Sequence, residues 1–192
     1  MKLKDIIDRV EICILVYNFI FINIFLSLYA KINYTIFKGQ NTMQLIAYKA
    51  FGHPKSRLLD KAIGITSFSK YSHAELVFAD GTCFSSSGRD HGARFKHFIP
   101  DPNRWDIFEL DITQEEENHI RFMAELYVKK QIAYDYFGVI TCGMHLCLLN
   151  KKYFCSEILA EVLGFIFEMD GFPCIYSPGK LAKYVQEPLR RL

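Results

Sequence analysis

The sequence has no CxxC pair, no internal repeat, no low-complexity linker inside residues 43–192 and almost no excess of either charge sign. Each absence removes a class of function. The 23 Lys/Arg against 21 Asp/Glu leave a net charge of +2. That excess sits in residues 1–42, and the remainder holds 18 of each sign, so there is no electrostatic case for nucleic acid. The six cysteines (Cys13, Cys83, Cys142, Cys147, Cys155 and Cys174) show no framework spacing, so mostly reduced, buried thiols are expected. Cys142, His145 and Cys147 are close in sequence, but on the helix expected there i, i+3 and i+5 do not share a face. No metal and no cofactor is expected.

What is present is a chain of 192 residues, 51% of them hydrophobic, enough for one domain with a sizeable core and far from a disordered composition. The most apolar stretch, Ile12 to Ala30, carries no charge and is interrupted only by Asn18, Asn23 and Ser27. It has the length and polarity of a membrane-spanning helix. As a signal peptide it is poor, because Asp5, Asp8 and Glu11 precede it and no A-x-A site follows. Met43 opens a run that reads like the start of a domain. Residues 1–42 are therefore read as a hydrophobic extension, either a membrane anchor or a dispensable leader, and residues 43–192 as the domain. The anchor would make the protein membrane-associated; without it a cytoplasmic monomer is expected.

From Met43 the pattern predicts an α+β domain, a small antiparallel sheet with helices packed on it. Strands are expected at Gln44–Lys49, His73–Ala79, Thr82–Ser87, Ala93–Phe98 and Trp105–Leu110, with Asp80-Gly81 as a two-residue hairpin turn. Helices are expected at Ser56–Ile63, from a Thr113/Glu116 capping box to about Lys130, at Tyr136–Leu148, from Cys155 to Gly164, and from Ser177-Pro178 to Val185. The acidic cluster Glu115-Glu116-Glu117 reads as a solvated first turn that offsets the helix dipole.

The chemistry centres on two residues. Cys155 begins an amphipathic helix whose apolar positions are Ile158, Leu159, Val162 and Leu163. At that end the unpaired N–H groups and the dipole favour a thiolate. A cysteine nucleophile needs a base, and His73 on the strand before Asp80-Gly81 is the best candidate. If Asp80-Gly81 is the whole turn, His73 lies opposite Gly88 and Glu75 opposite Ser86, so His73, Glu75 and Ser86 share a face with open space over Gly88. Glu75 is then the nearest carboxylate to orient the base, with Ser85, Ser86 or Ser87 as weaker choices.

Several motifs carry a resemblance. They are Tyr71-Ser72-His73-Ala74-Glu75-Leu76-Val77, Asp80-Gly81, Cys83 through Lys96, Tyr134-Asp135-Tyr136-Phe137-Gly138, Phe154-Cys155-Ser156-Glu157 and Tyr176-Ser177-Pro178. In that order they resemble the permuted papain-like hydrolases of the YaeF/YiiX kind, related to NlpC-type peptidases and to lecithin:retinol acyltransferase and closest to small bacterial and phage members. The match covers about residues 43–188. One departure is His91, where a glycine would be expected in an Arg-Asp-Gly-Gly-type run. The resemblance implies a permuted papain-like fold, Cys155 as nucleophile and His73 as base. It also implies a third polar group on or beside the hairpin, left open between Glu75 and the serines.

The expected function is a cysteine-dependent hydrolase that cleaves an amide bond through a thioester on Cys155. Its substrate would be a peptide, a cell-wall peptide (muropeptide) or an amide-linked lipid. Tyr71 would add a hydroxyl to the oxyanion hole, Ser86 would contact substrate, and Arg89, Asp90 and Arg94 would bind a polar or anionic substrate, unless an internal Arg–Asp pair pins that loop. The alternatives are a lipid thioesterase or acyltransferase acting on an acyl-lipid, and a non-catalytic accessory protein that keeps the fold. An exposed Cys155 of low pKa would separate enzyme from binding module.

Overall fold

Five short runs of strand-forming residues build one sheet: β1 Gln44–Lys49, β2 Tyr71–Val77, β3 Thr82–Ser87, β4 Gly92–His97 and β5 Trp105–Glu109. Their order is β4-β3-β2-β1-β5, with every neighbouring pair antiparallel. The computed structural model describes residues 42–52, 58–142 and 151–192. The apolar run at 12–30 lies outside these, and among the described residues no helix is long and apolar enough to cross a membrane.

The helices are α1 Leu58–Thr66, α2 Gln114–Lys129, α3 Tyr136–Thr141, α4 Cys155–Leu163 and α5 Pro178–Tyr184. Their starts are set by caps legible in the sequence. Thr113 and Glu116 form the reciprocal box on α2, and Ser177 caps α5 with Pro178 at the first position. Asp135 caps α3 through the N–H groups of Phe137 and Gly138, at 3.1 and 2.8 Å. The second half of the helix expected at Tyr136–Leu148, and the first residues of that expected at Ser56–Ile63, lie outside the described residues.

One face of the sheet carries the core. Leu45, Ala47, Ala74, Leu76 and Phe84 meet Ile158, Leu159 and Val162 of α4 and Leu181 of α5. Every residue of α4 except Glu161 is buried. This helix lies against β2 and β3, and α5 against β1 and β2. The opposite face is more polar and carries His73, Glu75 and Arg94.

Two local irregularities decide which side chains share that second face. The β2–β3 loop has three residues, not two: Phe78 N–H bonds Thr82 at 2.9 Å, and Gly81 takes φ +81°. Leu76 therefore faces Phe84, and Val77 faces Cys83. The register differs by one from the two-residue reading, and a one-residue slip moves every side chain of β3 to the other face. The second irregularity is a bulge. Tyr48 faces His73 but Lys49 faces Tyr71, leaving Ser72 as the extra residue and turning Tyr71 away from the His73 side.

Candidate active site

β2 and β3 pair at Leu76–Phe84 and Val77–Cys83 and then separate. Serine hydroxyls take over where the ladder stops. Ser85 donates to the Ala74 carbonyl at 2.7 Å, and Ser86 donates to the Tyr153 carbonyl at 2.8 Å. Tyr153 is further tied by its N–H to the Ala133 carbonyl at 3.1 Å, and its carbonyl accepts from Asp135 N–H at 3.2 Å. The residues just before Cys155 are thus pinned from two sides, and the start of α4 enters the gap between the strands. Glu157 closes that helix end by accepting from Phe154 N–H at 3.2 Å. Burial pushes the Glu157 carboxyl up to about 7 against that N–H, with repulsion from Asp135 and Glu161 adding to it.

The Cys155 thiol meets the His73 ring there. Burial opposes ionisation of the sulfur, but the charge and hydrogen bond of His73, with the N–H groups of Ala74 and Ser156, outweigh it and hold the thiol below its ordinary value. For His73, burial disfavours the charged ring. The thiolate, then the hydrogen bonds to Cys155 and Glu75, raise its pKa to about 9. The ring keeps 21% of its side chain exposed, so its desolvation is partial and the favourable contacts prevail. Together the two groups favour a thiolate–imidazolium pair.

Nε2 of His73 lies 3.1 Å from Oε1 of Glu75, which leaves Nδ1 for the sulfur. Glu75 is itself gripped by Arg94, whose Nη1 and Nη2 donate to its two oxygens at 3.0 and 2.7 Å. Arg94 Nε in turn donates to Asp90 at 2.9 Å. Burial opposes ionisation of Glu75, but His73 and then the bidentate Arg94 clamp outweigh it and hold the carboxyl below its ordinary value. The result is one connected chain, Cys155–His73–Glu75–Arg94–Asp90. Ser85 and Ser86 are committed to backbone carbonyls and the Ser87 hydroxyl accepts from Arg89 N–H, whereas Glu75 bonds the His73 ring.

Comparison with family models, with curated proteins and with solved structures returned no match. The residues themselves therefore carry the argument.

Of the residues expected in the site, Cys155, His73 and Glu75 are brought together, and Arg89 and Asp90 line the adjoining cavity of about 570 Å³. Asp90 faces Arg94, which is the internal Arg–Asp pair weighed as the alternative to substrate binding. Arg89 comes within 3.8 Å of Asp60 and stays largely exposed. Tyr71 and Ser86 do not belong to the site. The bulge at Ser72 sends the Tyr71 ring to the core face beside Phe108, where its hydroxyl donates to Asp106 at 2.6 Å. The three-residue loop puts Ser86 on the α4 side, fully buried against Tyr153. The space expected over Gly88 is filled by the Tyr136 ring, whose hydroxyl donates to the Gly88 carbonyl at 2.7 Å. His91 adopts φ +65°, the left-handed conformation a glycine would take, so the loop keeps its turn despite the substitution.

Two findings depart from expectation at the cysteines. Cys155 is fully buried, not exposed. Cys174 is disulfide-bonded, whereas Cys83, Cys142 and Cys155 are free. Among the described residues no group of three or more His, Cys, Asp or Glu is placed to hold a metal ion.

The site also contains residues for which the sequence suggests no role. Tyr134 lines the cavity and couples electrostatically to Cys155; burial and that negative neighbour keep its hydroxyl protonated. Trp105 stands 6.1 Å from the His73 ring, 5.2 Å from Tyr48 and 5.4 Å from Phe98. Arg104 lies over the Tyr48 ring at 4.9 Å and donates to its hydroxyl. Arg104 and Trp105 join Tyr48 at the site because β5 pairs with β1, a neighbour far away in sequence.

Proposed function

We propose that the protein is a cysteine-dependent hydrolase of permuted papain-like fold that cleaves an amide bond through a thioester on Cys155. The observation that carries this reading is the buried Cys155–His73–Glu75 chain, with the sulfur at a helix N-terminus and each charged form stabilised by the other. A buried cysteine without such partners would be an inert thiol whose pKa rises, as that of Cys83 does, to about 12, chiefly through burial.

The thiolate attacks the substrate carbonyl carbon, and the C–N bond breaks as the His73 imidazolium gives its proton to the leaving amine. The neutral imidazole then takes a proton from water, whose oxygen attacks the thioester and releases the acid and the thiolate. The N–H groups of the first turn of α4 favour the oxyanion. Tyr134, whose hydroxyl feels the charge of Cys155, takes the part expected of Tyr71. Since Cys155 is covered, the side chains over the sulfur move aside as substrate enters the cavity.

Mass spectrometry after brief iodoacetamide treatment at mildly acidic pH tests the reading. Cys155 should carry the label before any other thiol, and His73→Ala should slow labelling by about a hundredfold or more while leaving the fold intact. Preferential labelling of Cys83, or wild-type reactivity in the His73→Ala protein, would overturn the assignment. Tyr134→Phe should leave alkylation unchanged, since alkylation builds no oxyanion, yet lower amide turnover on the order of 10²-fold.

A second reading, transfer or hydrolysis of a lipid acyl group, is favoured by one observation. Leu58, Leu59 and Ile65 on α1 and Phe137 and Ile140 on α3 are exposed, and Leu59 also lines the cavity. Turnover of an acyl-lipid in preference to a muropeptide would select it.

A further inference from the structure

We propose that the cavity beside the dyad takes a substrate bearing an anionic group, a carboxylate or a phosphate, held by Arg104 within about two strand spacings of the scissile carbonyl, roughly 10 Å. The proposal deepens the hydrolase reading and rests on it for the reacting end of the substrate.

The cations lining the cavity, Arg89, Arg94, Lys96 and Arg104, are not equivalent, and Lys96 is exposed where Arg104 is half-buried. Arg94 is saturated by Glu75 on one side and Asp90 on the other. Arg89 has Asp60 nearby. Arg104 has no carboxylate within ion-pair distance among the described residues, and its guanidinium is held only by the ring and hydroxyl of Tyr48. Its Nε is buried and has no hydrogen-bond acceptor. A buried donor without an acceptor is costly, and a guanidinium donor is costlier still. Tyr48 keeps that donor set aimed, and the backbone on both sides is fixed. Arg104 N–H bonds the Asp101 carbonyl, and the Arg104 carbonyl accepts from Lys49 N–H, both at 2.9 Å. A planar fork held in place with a donor unused is built to receive a planar or tetrahedral anion.

The register sets the ruler. Tyr48 pairs with His73 on one side and with Trp105 on the other, so the row His73–Tyr48–Trp105 crosses β2, β1 and β5. An extended molecule lying along this row would have its carbonyl at the Cys155–His73 end and its anion at Arg104. The aromatic walls of Tyr48, Trp105 and Phe98 would cover its middle. The cavity volume of about 570 Å³ suits a ligand of that length.

Trp105 is the only tryptophan and lines the cavity, so its fluorescence reports binding directly. The titration uses the full chain carrying Cys155→Ala, which removes the chemistry, and N-acetyl-ω-amino acids of graded length with their methyl esters and phosphonate analogues. The acid whose span matches the row should bind about tenfold more tightly than its ester, and Arg104→Gln should erase the difference. Tyr48→Phe keeps the ring but frees the guanidinium, and should erode the preference part-way; it also serves if the Arg104→Gln protein does not fold. A carboxylate preference points to a peptide or acyl-amino acid, and a phosphonate preference to a phosphate-bearing headgroup; both support the site. Equal affinities for acid and ester, or full discrimination surviving in a folded Arg104→Gln protein, would overturn it. Retained discrimination in a protein whose native Cys155 never turns over an amide would sink the hydrolase reading and leave the anion site standing.

Discussion

The charge state of the Cys155–His73 pair sets the pH range in which the protein can react. The thiol lies below its ordinary 9.0 and the imidazole is raised to about 9, so the ionic pair spans the interval between them. Alkylation should set in at lower pH than for an ordinary thiol and fall away as the sulfur takes up a proton. Turnover should also fall as pH rises through about 9, where His73 loses the proton it gives to the leaving amine. A Cys155 alkylation profile that titrates at or above 9.0 would remove His73 as its partner. Glu75 orients without exchanging protons, so Glu75→Gln should lower turnover by less than His73→Ala does. Glu75→Ala is a different experiment. It leaves the Arg94 guanidinium largely buried beside Asp90 alone, and loss of a buried ion-pair partner costs about 3–5 kcal/mol. The linkage has a definite sign. The folded carboxyl lies below its unfolded value, so its contribution is complete above the ordinary carboxylate range and is lost as pH falls through the folded pKa. Denaturant titrations of wild-type and Glu75→Ala protein should therefore converge in acid.

At the scale of the element, the seat of α4 depends on two strands that stop pairing. Ser86→Ala removes the hydroxyl that ties β3 to Tyr153, and the Tyr153 carbonyl keeps its bond from Asp135. The stability loss should be modest, about 1 kcal/mol by denaturant titration, but the thiol pKa should rise as the helix start loosens against Ala74. A Ser86→Ala protein with unchanged thiol reactivity would show that Ser86 plays no part in the seating. The strands and helices themselves were legible in the sequence, because alternation, the Thr113–Glu116 box and Ser177-Pro178 are local signals. Register was not. Nothing in Asp80-Gly81 says whether Ala79 belongs to the loop, yet that one residue moved Ser86 off the site. Tyr71 was misplaced for a like reason, since a bulge at Ser72 leaves no mark in the residue pattern. The clamp of Arg94 on Glu75 needs two registers at once, the β2–β3 one that turns Ser85 to the Glu75 side and the β3–β4 one that sets Arg94 opposite Ser85. Arg104 and Trp105 depend on the β1–β5 pairing, for which no local signal exists.

For the whole molecule, residues 42–192 hold a continuous core between the sheet and α4, α2 and α5, and cluster as one unit. A chain beginning at Asn41 should therefore melt in one cooperative transition. A chain beginning at Met43 should melt lower, by about 2–4 °C for each kcal/mol lost. Met43 is fully buried and its carbonyl accepts from Leu110 N–H at 2.9 Å, so a charged amino terminus there would sit beside the core. Calorimetry of the two proteins decides the point. An unfolded Asn41 protein would show that the upstream residues belong to the domain.

The placement of β1 between β2 and β5 has a consequence for the order of events as the chain matures. Its second ladder closes only when residues 105–109 return to it, and the Cys155 helix arrives later still in the chain. Contacts of such long sequence separation form slowly. Until they form, Cys155 has no imidazole beside it and no strand gap to enter, and is an ordinary thiol. On the proposed function, a nascent or partly refolded chain therefore carries Cys155 without its activating partner, and its reactivity rises only as the native sheet closes.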